Sequence, residues 1–312
     1  MIRYTDLKTG RETTISPFIA ALGNFDGVHI GHAAVIRETV DAAKRNDVKS
    51  AVWFFRDRPA GGAKMLTSTD EKCAIFSSLG ADLSITEDFS DVKDLSPEEF
   101  VEDYLVGEGC RGIVCGFNFR FGKGAAGDTV LLKDLCERLG LFFRCADPVS
   151  VDGVTVSSTE IRKRISDGDV ELAAKMLGRP YSYSAPVDHG RALGAKFGFP
   201  TINQYFEDCR AVPRHGVYYT YTKLGEELLP SVSNVGSRPT VGGHVCRLET
   251  HILGYSGDLY GKSPEVYFIK FRRPETKFES KDQLIAAVEA DKLAASEFFS
   301  AAAKEKLEGK YR

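Results

Sequence analysis

The sequence predicts two domains: an α/β domain built on a parallel sheet, then a small antiparallel β-barrel or sandwich with terminal helices. Three observations carry this. At 312 residues the chain is long for one hydrophobic core, since domains mostly run to roughly 100–200 residues. Up to about residue 180, short apolar runs alternate with amphipathic stretches, as in strands joined by crossover helices. From there to about residue 271 the pattern becomes short strands separated by turns rich in Gly, Pro, Asn and Asp, which is how small all-β units read. The expected domains are residues 1–180 and 181–312.

The elements follow in order. Residues 15–22 read as a strand, followed by a glycine-rich turn and a helix over about 30–45. A second strand covers 50–55. Ser68 and Glu71 are placed as a capping box for a helix over 69–79, which Gly80 ends. Residues 82–85 form a short strand. Ser96-Pro97-Glu98-Glu99 is a helix start, with Ser at the cap, Pro in the first turn and acids facing the positive helix end. Residues 112–115 are a buried strand, Asp128 caps a helix to Leu139, and 141–145 are a further strand. A double helical stretch spans 158–177. Strands are then expected at 217–223, 228–235, 247–253 and 265–270. Ser280 and Gln283 form a second capping box, before a helix with Leu284, Ile285 and Val288 on one face.

The composition narrows the function classes. It is that of an ordinary globular protein, 43% hydrophobic and 27% charged, and a net charge of -3 gives no bulk reason to bind nucleic acid or an acidic membrane. No apolar run approaches the roughly 20 residues of a membrane span, and the first ten residues lack an apolar signal core. A cytoplasmic protein is expected; an oligomer is compatible with these features. Seven irregularly spaced cysteines argue against a disulfide framework, and Cys110 and Cys115 stand too far apart for a C-x-x-C motif.

The first dense motif is Gly23-Asn24-Phe25-Asp26-Gly27-Val28-His29-Ile30-Gly31-His32. It leaves a strand and opens a helix, so free backbone N–H groups and the helix dipole favour an anion there. His29 and His32 fall on one side of the first turn, where two imidazoles can donate to a triphosphate. Gly31 between them leaves room for a phosphate to reach the backbone. Two histidines three apart also suit a metal, but no third ligand at zinc spacing is evident. Ser157, Ser158 and Thr159 with Arg162 one turn on form either an anion site or a simple helix cap.

The second motif is Gly190-Arg191-Ala192-Leu193-Gly194-Ala195-Lys196-Phe197-Gly198-Phe199-Pro200-Thr201-Ile202-Asn203. Glycines four apart permit a loop whose amides face phosphates. Thr201 and Asn203 alternate, so on an extended segment both point one way and can hold a magnesium ion shared with nucleotide phosphates.

These motifs resemble the bacterial bifunctional riboflavin kinase/FAD synthetase family, whose first domain is a Rossmann-like H-x-G-H nucleotidyltransferase and whose second is the riboflavin-kinase β-barrel. The resemblance continues through Gly116-Phe117-Asn118-Phe119-Arg120-Phe121-Gly122-Lys123-Gly124, Ser157-Ser158-Thr159-Glu160-Ile161-Arg162, Pro200-Thr201-Ile202-Asn203, Asn234-Val235-Gly236-Ser237-Arg238-Pro239-Thr240, Glu249-Thr250-His251-Ile252 and Arg273-Pro274-Glu275-Thr276-Lys277-Phe278. It implies conversion of riboflavin to FMN with release of ADP, and of FMN to FAD with release of pyrophosphate, with ATP as co-substrate and Mg2+ as cofactor of both steps. It implies ATP binding by Gly23 to Gly27, His29, His32, Ser157 to Thr159, Arg162, Gly190, Gly194, Lys196, Gly198, Pro200, Thr201 and Asn203. It implies flavin binding by Asn118, Phe119, Arg120, Phe121, Arg238, Thr240 and Arg273, and proton removal from the ribityl hydroxyl by Glu249, with His251 supporting. His29, His32 and Asn203 complete the catalytic set. One departure stands out. Where the family commonly shows F-x-P-H-P, this chain has Phe55-Arg56-Asp57-Arg58-Pro59, and arginine matches histidine in neither shape nor titration. That position motivates a second reading, a working kinase joined to a weakened adenylyltransferase. A flavin or nucleotide sensor is the third, and the intact Glu249 counts against it, because binding alone needs no base.

Overall fold

In the computed structural model, which describes residues 3–12, 17–56, 62–188, 199–240 and 243–300, the chain forms two units, Met1–Ser158 and Thr159–Arg312. The first unit opens with a hairpin, β1 (Arg3–Asp6) and β2 (Arg11–Glu12). Five parallel strands follow: β3 (Phe18–Leu22), β4 (Lys49–Phe55), β5 (Leu83–Glu87), β6 (Cys110–Gly116) and β7 (Phe142–Ala146). The sheet order is β2-β1-β5-β4-β3-β6-β7, with β1 antiparallel to β5. The antiparallel edge was not expected from a polar N-terminus; it forms because β1 matches β5 residue for residue from Arg3 opposite Thr86 to Asp6 opposite Leu83.

The central strand β3 is apolar throughout because both its faces are covered. Along β3, Phe18, Ala20 and Leu22 join one core with Trp53 and Ile113, while Ile19 and Ala21 join the other with Val52, Phe54 and Val114. Helices α1 (Ile30–Arg45) and α2 (Thr69–Ser78) supply the second core through Ile36, Val40 and Phe76. The first core is covered by a short α3 (Phe89–Val92), α4 (Pro97–Glu99) running into a π-helical stretch (Phe100–Val106), and α5 (Thr129–Leu139). The expected capping box of Ser68 with Glu71 is present, and the expected helix start at Ser96 also proves to be a capping box, with Glu99. Asp128 caps α5, and Gly140 ends it in the left-handed conformation. β3 pairs in parallel with both β4 and β6, so strand order reverses beside it. In such sheets ligands bind at the carboxyl ends of the strands, at that reversal. A hairpin of β8 (Ser150–Val151) and β9 (Val154–Thr155) closes the unit.

In the second unit, α6 (Ser158–Asp167, its first residue shared with the other unit) and α7 (Val170–Leu177) precede six antiparallel strands. These are β10 (Tyr181–Ser184), β11 (Ile202–Tyr205), β12 (Gly216–Leu224), β13 (Glu227–Thr240), β14 (Gly243–Ile252) and β15 (Glu265–Arg273), in the order β10-β15-β12-β13-β14-β11. The sheet curls until its two edges meet. Asp188 N–H donates to the Asn203 carbonyl at 2.9 Å, the Tyr183 hydroxyl to the Tyr205 carbonyl at 2.7 Å, and the Gln204 amide to the Ala185 carbonyl at 2.7 Å. These bonds partly cover the two edge strands, which antiparallel sheets must otherwise protect.

The concave face mixes aromatics with hydroxyls. Ser233 Oγ lies 2.8 Å from Thr220 Oγ1 and 2.7 Å from Thr250 Oγ1, and Thr222 Oγ1 lies 2.8 Å from Ser231 Oγ. All five residues are fully buried. On the other face, Tyr219 and Tyr221 pack on Ala295 and Phe299 beside α8 (Lys281–Phe298). The Ser280 cap of α8 accepts from Gln283 N, as expected; the Gln283 carboxamide reaches one residue further back than a capping box requires, to Glu279 N.

Candidate active sites

The first site begins where β3 ends. The chain must turn from Leu22 into α1 within seven residues, and it does so through three left-handed residues, Phe25 (φ 47°), Gly27 (φ 81°) and Val28 (φ 37°). For Phe and the β-branched Val this costs about 1–3 kcal/mol each, and such strain persists only where surrounding contacts overdetermine it. Those contacts are present. The Asp26 carboxylate, 2% exposed, accepts from Leu66 N at 3.0 Å and Thr67 N at 3.2 Å. Gly27 N donates to Thr67 Oγ1 at 2.9 Å, Ser158 Oγ to the Asp26 carbonyl at 2.8 Å, and Lys72 Nζ to the Asn24 carbonyl at 3.0 Å. Asp26, expected among the nucleotide ligands, thus directs its carboxylate at the 66–67 backbone.

His29 is the N-cap of α1, and its Nδ1 accepts from His32 N at 3.2 Å. An imidazole nitrogen that accepts carries no proton, so the neutral ring holds its proton on Nε2, leaving that N–H as donor. The rings of His29 and His32 stack with centroids 3.5 Å apart, and the Phe25 ring meets His32 edge-on at 5.2 Å. Gly31 has a reason the sequence did not suggest. A Cβ there would lie 3.3 Å from the His29 ring, so the glycine makes room for the imidazole. Beside this turn the Asn24 Oδ1 is buried without a hydrogen-bond partner among the described residues. At the start of α6, Ser157 and Ser158 are half-buried and Thr159 exposed, with Arg162 half-buried one turn on.

The loop after β6 divides its residues. Asn118 and Arg120 are exposed, Arg120 lying 3.7 Å from Asp128. Phe121 is core, pinned by reciprocal backbone hydrogen bonds with Gly127, and Phe119 stacks on it at 5.8 Å. Arg56 follows β4 with its Nη1 3.4 Å from Asp88 and its Nη2 buried without a hydrogen-bond partner among the described residues. Arg58 lies outside the described residues.

The second site is laid out by strand register. Asn203 stands opposite Glu249, Glu249 opposite Asn234, Asn234 opposite Val217, and Val217 opposite Arg273. Directly opposed residues share a face with Cβ atoms about 5 Å apart, so the row runs across five strands. Glu249 Oε1 lies 2.9 Å from Arg247 Nη2. The Asn203 side chain is buried, and its Oδ1 has no hydrogen-bond partner among the described residues. An orphaned amide oxygen two residues from the Thr201 hydroxyl fits a magnesium ligand set, since that ion takes oxygen donors and shares phosphate oxygens. His251 Nδ1 meets the Pro200 carbonyl at 2.8 Å, and burial pushes its pKa below the usual histidine range. Arg273 is engaged by the buried Asp291 through Nη2 at 2.8 Å and Nε at 3.1 Å. Gly190, Gly194, Lys196 and Gly198 lie outside the described residues, as do the side chains of Arg238 and Thr240 on β13.

Three positioning groups escaped the sequence reading. Lys72 had a signal, since it stands four residues before Phe76 on the buried face of α2. Thr67 and Asp291 had none, because each acts on a segment distant in sequence.

A family model described as FAD synthetase matches residues 12–160, and one described as riboflavin kinase matches residues 177–299. The chain is 34% identical over 290 residues to the bifunctional riboflavin kinase/FMN adenylyltransferase of Escherichia coli K12, covering 90% of this chain and 92% of that one. The protein of the same name from Bacillus subtilis is 31% identical over 294 residues, covering 90% and 92%. A crystal structure described as a macrolide-efflux protein from Streptococcus pneumoniae superposes with a TM-score of 0.82 at 29% identity, covering 93% of this chain and 97% of that one. Among the described residues here no helix is long and apolar enough to cross a membrane. With both family models matched in order, and relatives of one name aligned along nine-tenths of its length, the chain belongs to the bifunctional riboflavin kinase/FMN adenylyltransferase family.

Proposed function

We propose that the two sites carry the two steps of FAD synthesis, each through the residues assembled above, and that the activities divide near residue 180. The FAD synthetase match ends at 160 and the kinase match begins at 177, which leaves most of the α6–α7 pair between them. In the kinase, the riboflavin 5′-hydroxyl oxygen attacks the γ-phosphorus of ATP, its proton passes to Glu249, and ADP leaves. Asn203 and Thr201 would hold magnesium, which supplies charge neutralisation at the phosphates. Arg247 Nη2, 2.9 Å from Glu249 Oε1, orients the carboxylate.

In the adenylyltransferase, an FMN phosphate oxygen attacks the α-phosphorus of ATP and pyrophosphate leaves. This needs alignment and charge stabilisation more than a base. His29, His32 and the amino-terminal end of α1 serve the ATP phosphates; the hydroxyls and Arg162 at the start of α6 are by themselves a further group suited to an anion. Phe119 and Asn118 contact the flavin.

The observation that carries the proposal is the pairing of Asn203 with Glu249 in one chain with the stacked His29–His32 cap. Glu249→Ala is expected to lower FMN formation by about a hundredfold or more while FMN is still converted to FAD. His32→Ala is expected to do the reverse, by about a hundredfold. Loss of both activities together in a folded Glu249→Ala protein contradicts the assignment.

A further inference from the structure

The strained turn ahead of α1 rests on a buried cation that neither reaction step uses. Lys72 on α2 is 4% exposed. Its ammonium donates to the Asn24 carbonyl at 3.0 Å and lies over the Phe54 ring, 5.2 Å from the centroid. Burial lowers its pKa, and the Asp26 carboxylate opposes that shift. A desolvated ammonium is costly unless it is matched to fixed partners. Here those partners flank the left-handed Phe25: the Asn24 carbonyl by a hydrogen bond and the Asp26 carboxylate by its charge.

We propose that Lys72 is a positioning residue for adenylyl transfer, holding Asn24 and Asp26 so that the loop between β3 and α1 presents its amides, the Asn24 carboxamide oxygen and His29 in reactive geometry. The inference rests on the adenylyltransferase reading of this loop, which the FMN-to-FAD rate of the unaltered protein tests separately. Lys72 acts through the backbone at Asn24 and touches no substrate itself. A loop that is merely tethered would bind ATP and stay folded without the charge; a loop held in register for the transition state loses turnover first.

The test uses the full chain with Lys72→Met, which keeps the side-chain length without the charge, and Lys72→Arg, which keeps the charge. The Met variant is expected to lose at least tenfold in kcat for FAD formation from FMN, with KM for ATP changed less than about threefold. Its riboflavin phosphorylation should stay within twofold of the unaltered protein, and its unfolding should remain cooperative. The Arg variant should recover part of the loss. An unchanged kcat in Lys72→Met overturns the proposal. So does an Arg variant no faster than the Met one. Loss of the melting transition of the N-terminal unit in Lys72→Met would show a purely structural residue and overturn it as well.

Discussion

His29 uses its Nδ1 to cap α1, and on the proposed function its ring also serves the ATP phosphates, so small displacements of the ring should be felt in catalysis. Gly31 offers a way to move it. In a helix interior, Gly→Ala ordinarily stabilises by about 1 kcal/mol. At this position the added Cβ would come 3.3 Å from His29 Cε1 and Nδ1. The two effects separate cleanly. Gly31→Ala should leave the melting temperature unchanged or slightly raised, while FAD formation falls by about tenfold or more through the displaced imidazole. Calorimetry and FAD chromatography on the same preparation check this; an unimpaired FAD rate would mean the His29 ring orientation is not used. The Glu249 carboxylate is a residue-scale device of a different kind, set by its neighbours across the sheet and by Arg247, and its substitution should act on the other product alone.

At the scale of elements, the barrel interior is held by a hydroxyl ladder linking β12, β13 and β14. Ser233 sits between Thr220 and Thr250, so Ser233→Ala strands two buried hydroxyls at once. That should cost about 2 kcal/mol of stability in the kinase unit, read by denaturant titration; a cost under about 0.5 kcal/mol would mean the ladder is not a determinant of the fold. The ladder was not legible in the sequence, where alternating Thr and Ser around residues 220–233 read only as strand. Local signals fared better. Ser68, Ser96 and Asp128 mark helix starts because a cap hydrogen-bonds within three residues of itself. The His29–His32 turn was legible for the same reason. What sequence alone did not show is what depends on pairing at a distance: the β1–β2 edge, the Asp26 clamp on residues 66–67, and the hold of Asp291 on Arg273. Asn203 and Glu249 lie between these cases, since each lies in a readable motif but their adjacency follows only from the β11–β14 register.

For the whole molecule, one chain carries two consecutive reactions, the FMN made in the first being the substrate of the second. Each unit has its own core and its own strand-end or strand-face site, so a substitution in one should spare the chemistry of the other. The position of Arg58, where the family commonly carries histidine, makes the second step the one to examine. The most direct measurement is incubation of the purified chain with riboflavin, ATP and magnesium, with riboflavin, FMN and FAD separated over time. FMN is expected to rise first, with FAD then accumulating at its expense. FMN that accumulates without FAD, even when FMN is supplied directly, would contradict it and leave a riboflavin kinase alone.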